Sequence, residues 1–77
     1  MPYVAIKTFP KDEKAKAEAA DRISKVLQEV WKCEPDWISV SIEDIEPDDW
    51  DEKVVSGAME SNMDHMMILN GEIRNHK

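Results

Sequence analysis

The chain has 77 residues and a formal net charge of −7, from 17 acidic side chains against 10 lysines and arginines. A chain this short buries only about 60% of the surface its unfolded form exposes, so oligomerisation is the expected way to complete the core. The acidic balance excludes the basic face of a nucleic-acid binder. No apolar run approaches the roughly 18 residues of a membrane span. The single cysteine, Cys33, allows no disulfide within one chain and fits a reducing, cytoplasmic location.

Pro2 follows the initiator methionine at the threshold of a strand, one of the few places where a sheet accepts proline. From Tyr3 to Phe9 the sequence reads YVAIKTF. Val4, Ile6 and Thr8 alternate with Tyr3, Ala5, Lys7 and Phe9, and this period of two predicts a strand with apolar groups on both faces. Pro10 ends it. Asp12 is a suitable N-cap and Glu13 adds charge to a first helical turn. Ala15, Ala19, Ile23, Val26, Leu27 and Val30 then recur at steps of three or four, which predicts an amphipathic helix of roughly five turns. Lys14, Lys16, Glu18, Asp21, Arg22, Lys25 and Glu29 form its expected solvated face, and Pro35 is its expected stop.

Trp37 to Ile45, WISVSIEDI, reads as a second strand. Strand, helix and strand together predict a β-α-β unit with parallel strands and a right-handed crossover. Pro47, Asp48 and Asp49 suit the start of a second helix carrying Trp50, Val54 and Ala58 on one face, with Gly57 weakening it. Asn70-Gly71 marks a C-cap or turn, and Glu72 to Arg74 a short edge strand. There is no repeat or linker, and residues 1–77 read as one α/β domain of two layers. Two strands and one helix do not close a sheet, so symmetric pairing of subunits is expected to cover the remaining face and edges.

Several groups invite a chemical reading. An anion bound by so acidic a chain needs local cations, and Lys7, Lys11, Lys53, Arg22 and Arg74 are the candidates. Cys33 has no histidine beside it and reads as structural. Met63, His65, Met66 and Met67 have the spacing of a helix face rather than of a metal site. The acidic run from Glu43 to Glu52 lacks the glycine and alternating ligands of a calcium loop, so no metal or other cofactor is expected. Trp31 and Trp37 read as core or interface residues, and the Tyr3 hydroxyl as a possible donor.

Pro2, the FPK turn, the amphipathic helix, SVSIEDI, Pro47 and Trp50, taken together at this spacing, resemble the tautomerase superfamily. The 4-oxalocrotonate tautomerase-like group is the nearest in pattern, and within it the longer-chain members that form dimers, which share IKTFP, ISVSIEDIEPDDW and WDEKV in similar form. The resemblance is firmest from Pro2 to about Val54. It implies a β-α-β subunit completed by oligomerisation, here a homodimer, and a cofactor-independent isomerase. Such enzymes move a proton between oxygen and carbon in small 2-oxo or enol acids, with the N-terminal proline as general base. With Met1 removed, the Pro2 nitrogen is a secondary amine. Desolvation lowers an amine's pKa toward the working pH, where a base is most effective. Relatives commonly hold the substrate carboxylate with an arginine in the turn after the first strand, where this chain has Lys11. Founding members carry a second arginine on the second strand, where this chain has Ser39, a departure that favours a monoacid. Trp50 stands where relatives place an aromatic that walls the pocket. The resemblance leaves two alternatives, a hydratase or dehalogenase of unsaturated acids that uses the protonated proline, and a non-catalytic oligomeric binding protein.

Overall fold

A computed structural model describes residues 1–74, which form two compact units, Met1–Pro47 and the segment from Asp48 onward. In the first unit the order is strand β1 (Tyr3–Thr8), helix α1 (Glu13–Val30), a 3-10 turn (Pro35–Trp37) and strand β2 (Ser39–Asp44). The expected β-α-β unit is present, and its two strands are parallel. Tyr3 pairs with Ser39, Ile6 with Ile42 and Thr8 with Asp44. Two further bonds extend the ladder, from the Ser39 N–H to the Pro2 carbonyl at 3.1 Å and from the Ile45 N–H to the Thr8 carbonyl at 2.8 Å. The second strand is shorter than its pattern predicts, because Pro35, Asp36 and Trp37 are wound into the 3-10 turn. Proline suits the first position of such a turn, having no N–H to leave unpaired.

The alternation along β1 sets its two faces apart. Val4, Ile6 and Thr8 are half-buried, with Val40 and Ile42 beside them on β2. Tyr3, Ala5 and Lys7 are exposed, with Ser39, Ser41 and Glu43 opposite them. On that outer face the Tyr3 hydroxyl and Ser41 Oγ are hydrogen-bonded at 2.9 Å, and Lys7 Nζ donates to Glu43 Oε1 at 2.7 Å. Within one chain this outer face is bridged by polar cross-strand pairs, which a solvated sheet surface tolerates.

Helix α1 begins as its sequence predicts. Asp12 has extended backbone, and its Oδ1 accepts from the Ala15 N–H at 2.7 Å. The helix ends at Val30, before reaching Pro35. Lys32 takes a left-handed backbone (φ 58°), and the Cys33 N–H reaches back to the Leu27 carbonyl at 3.5 Å. The chain thus turns back over the last helical turn at a left-handed residue that is not glycine. The faces of α1 also differ from the expected pattern. Ile23 and Leu27 are half-buried, but Ala15, Ala19, Val26 and Val30 are exposed. Lys16, expected in solvent, is half-buried, because it lies between Ala20 and Ile23 around the helix. Its ammonium bonds Glu13 and Asp44, both at 3.1 Å, and so ties α1 to the end of β2.

The second unit holds a 3-10 turn (Pro47–Asp49, entered from the first unit), a π-helix (Asp51–Met59), a second 3-10 turn (Met63–His65) and a hairpin of β3 (Ile68–Leu69) with β4 (Glu72–Ile73). The predicted second helix therefore exists in a wider register. Half-buried or buried side chains fall at Trp50, Val54, Ala58, Met59 and Met63, a spacing close to the 4.4 residues per turn of a π-helix and longer than 3.6. The Asn70-Gly71 turn joins β3 to β4, with φ of 50° and 85°. Two positive φ values define a type I′ turn, and asparagine followed by glycine reaches them at least cost. The expected edge strand is β4, one residue shorter than predicted. Residues 75–77, the end of the expected tail, lie outside the described residues. Among the described residues only Ile45 and Val54 are fully buried apolar side chains, at 4% and 5% exposure.

Candidate active site

The parallel register decides which candidate residues can meet. Pro2 is half-buried at the head of β1, and its carbonyl accepts from the Ser39 N–H. Because Tyr3 stands opposite Ser39, the start of each strand lies at the same end of the sheet. Pro2 and Ser39 are thus neighbours, and the Tyr3 and Ser41 hydroxyls lie close by on the outer face. Sequence alignment alone left Ser39 without a spatial relation to Pro2.

Lys11 is at the opposite end. Pro2 and Thr8 are six steps apart along the chain, and an extended chain rises about 3.3 Å per residue, so they are about 20 Å apart. Lys11 follows Thr8 and lines an open groove of about 220 Å³ with Ile6, Thr8, Ala15, Lys16, Ala19 and Ile42. A lysine side chain reaches roughly 6 Å. Within one chain, Lys11 and Pro2 therefore lie toward opposite ends of β1. Trp50 is half-buried in the second unit, where it stands immediately before the π-helix.

The cations separate clearly by their partners. Lys7 pairs with Glu43 at 2.7 Å, Arg22 with Glu18 at 2.7 Å and Lys53 with Asp49 at 3.7 Å. Arg74 donates to the Met63 sulfur at 3.1 Å. Lys11 has no side-chain partner among the described residues and is exposed. It is therefore the cation of the five that is available to an anion. Lys16 is engaged differently. The hydrogen bond it donates to Glu13, then the one it donates to Asp44, holds its ammonium above the ordinary lysine pKa of 10.5. Its charge is fixed on two carboxylates, a network that was not read from the sequence. The signal was available, since residue 16 falls within the apolar arc of the helix rather than opposite it.

Pro2 is preceded by Met1, which is 90% exposed. With Met1 attached, the Pro2 nitrogen is an amide that carries no basic lone pair. Among the described residues no group of three or more His, Cys, Asp or Glu side chains gathers where it could hold a metal, His65 included. Cys33 is a half-buried free thiol. No helix in the described residues is long and apolar enough to cross a membrane.

No curated protein matches the chain. The family model described as tautomerase enzyme matches residues 2–59, beginning at Pro2 and taking in β1, α1, β2 and the π-helix. With that match covering most of its length, and with its parallel β-α-β unit in place, the chain belongs to the tautomerase enzyme family.

Proposed function

We propose that this protein catalyses keto–enol proton transfer on a small 2-oxo or enol monoacid, with Pro2 as general base after Met1 is removed. The observation that carries the reading is that the family match starts at Pro2 itself, the half-buried residue at the head of β1. Removal of Met1 turns an amide nitrogen into a secondary amine. The ring fixes φ, so the lone pair is aimed with little loss of entropy. Partial burial disfavours the charged form and draws the amine's pKa down, toward the pH at which a base and its conjugate acid interconvert readily. Pro2 takes the enol or α-carbon proton and returns it to the other atom of the same substrate, so no net oxidation occurs and no cofactor is required.

Ser39 lies beside Pro2 and offers a hydroxyl to the substrate carboxylate or enolate oxygen. Lys11, which lies toward the other end of β1 from Pro2, supplies the charge from a second copy. Trp50 supplies an apolar wall against the conjugated part of the substrate. A single lysine at the site, with serine in place of a second cation, matches a monoacid better than a dicarboxylate, since each carboxylate taken from water needs its own charged donor.

The test is ketonisation of phenylenolpyruvate, followed by ultraviolet absorbance, on protein whose N-terminal mass shows Met1 removed. Pro2→Ala is expected to lower kcat by about 10²-fold or more, the usual worth of a positioned general base. The rate should rise with pH through the proline pKa, because the neutral amine is the active form. A rate that falls through that pKa assigns the cationic amine and with it the hydratase or dehalogenase chemistry. An unchanged Pro2→Ala variant removes Pro2 from the mechanism.

A further inference from the structure

The groove that Lys11 lines has one polar end and one apolar end. For β2 to lie parallel to β1, α1 must run back along the strands, so its first turns stand over the end of β1 and its later turns over the middle. Ala15 and Ala19 are one turn apart, about 6 Å along the helix axis. Ile6 and Thr8 share a strand face and are about 7 Å apart. The lining therefore places Lys11 and Thr8 toward the turn, and Ile6, Ile42 and Ala19 away from it.

Each end has its own chemistry. Two ammonium groups line the groove, and Lys16 is committed to Glu13 and Asp44 at 3.1 Å each. Lys11 brings the remaining positive charge, and Thr8 adds a hydroxyl at the same end. At the other end Ile6 and Ile42 face each other across the register and are half-buried. The alanines of α1 beside them are too short to fill the space. A volume of about 220 Å³ corresponds to about seven water molecules at liquid density. It is also below the roughly 300 Å³ at which pockets for drug-sized ligands begin.

This lining selects its occupant. One ammonium at the mouth of a hydrocarbon groove complements a monoanion that carries an apolar tail. No aromatic side chain lines the groove, so a tail gains from burial and not from stacking. We propose that this groove is the side-chain pocket of the substrate, and that the substrate is a straight-chain aliphatic 2-oxo or enol acid of about six carbons, the length that fills a space of about seven heavy atoms once the carboxylate is at the mouth. The carboxylate lies on Lys11 and the C2 oxygen toward Thr8. C3, the carbon that gains or loses the proton, stays at the mouth, and the alkyl chain follows Ile6 and Ile42 toward Ala19. The inference rests on Lys11 as the carboxylate holder of the proposed reaction.

Methyl NMR titration of the full-length protein with 2-oxobutanoate, 2-oxopentanoate, 2-oxohexanoate and phenylpyruvate tests it. The dissociation constant should fall about two- to fourfold for each added methylene. The longest acid should shift the Ile6, Ile42 and Ala19 methyl signals most, and phenylpyruvate should bind more weakly than it. Lys11→Ala should weaken every acid by the same factor, roughly 10-fold or more, and keep the gradient, because charge and tail act at separate ends. Ala19→Leu should flatten the gradient by filling the apolar end. A flat series in the wild type, methyl shifts confined to residues outside the groove, or a gradient that survives a folded Ala19→Leu variant overturns the proposal. If Ala19→Leu does not fold, the wild-type series and its methyl shifts decide. These titrations need no turnover. A flat series beside a Pro2→Ala variant that has lost ketonisation removes the pocket and leaves the general base standing.

Discussion

Subunit mixing tests the most consequential geometric result, that Pro2 and Lys11 occupy opposite ends of β1. Pro2 and Thr8 are about 20 Å apart along the strand, more than three times the roughly 6 Å reach of the lysine that follows it. If both act on one substrate, they come from different copies. Lys11→Ala removes a charged donor worth about 1.5–3 kcal/mol, which corresponds to a loss of roughly 10- to 150-fold in kcat/KM. Lys11 is exposed and has no side-chain partner among the described residues, so the fold should be unaffected. Pro2→Ala and Lys11→Ala chains are each purified, mixed in equal amounts, unfolded and refolded together. A site that draws its proline and its lysine from two independently chosen chains is intact in about one case in four. The mixture should therefore recover about a quarter of wild-type activity, well above the mean of its two parents. In a site built from one chain every copy in the mixture lacks one group, and no recovery occurs. Activity equal to the parental mean would falsify the shared site.

Two further outcomes follow from the capping and ion-pair geometry. Asp12→Ala removes the acceptor for the Ala15 N–H and should lower stability by about 1 kcal/mol, or about 4–8 °C in Tm, whereas Asp12→Asn should retain most of it; equal losses would show that the cap contributes nothing. Lys16, with its pKa raised by Glu13 and Asp44, contributes stability that is fully present below 10.5 and lost as the pH rises through its higher folded value. The Tm difference between wild type and Lys16→Met should be constant from neutral pH to that point and narrow above it, and widening there contradicts the assignment.

Local chemistry alone determined a good part of this molecule. A period of two with β-branched residues gives β1, because successive side chains on a strand must point to opposite faces. The carboxylate of Asp12 fixes where α1 begins, since it meets an N–H that has no helical partner. Asn70-Gly71 fixes the hairpin turn, because these two residues reach positive φ at least cost. The family resemblance carried by Pro2 to Val54 was legible in the same way, as residue types at set spacings. What the pattern could not contain was any quantity that depends on distance between segments. That α1 ends at Val30 rather than running on toward Pro35 goes with the left-handed Lys32 and the backbone bond from Cys33 to Leu27. That Lys16 is tied to Asp44, and that Val26 and Val30 project into solvent, depends on how the helix is rotated over the sheet. Helical periodicity defines an apolar arc, but only packing selects which part of it is covered. The placement of Ser39 beside Pro2, with Lys11 at the far end, rests on the register of two parallel strands, and a register is a property of the pair rather than of either strand.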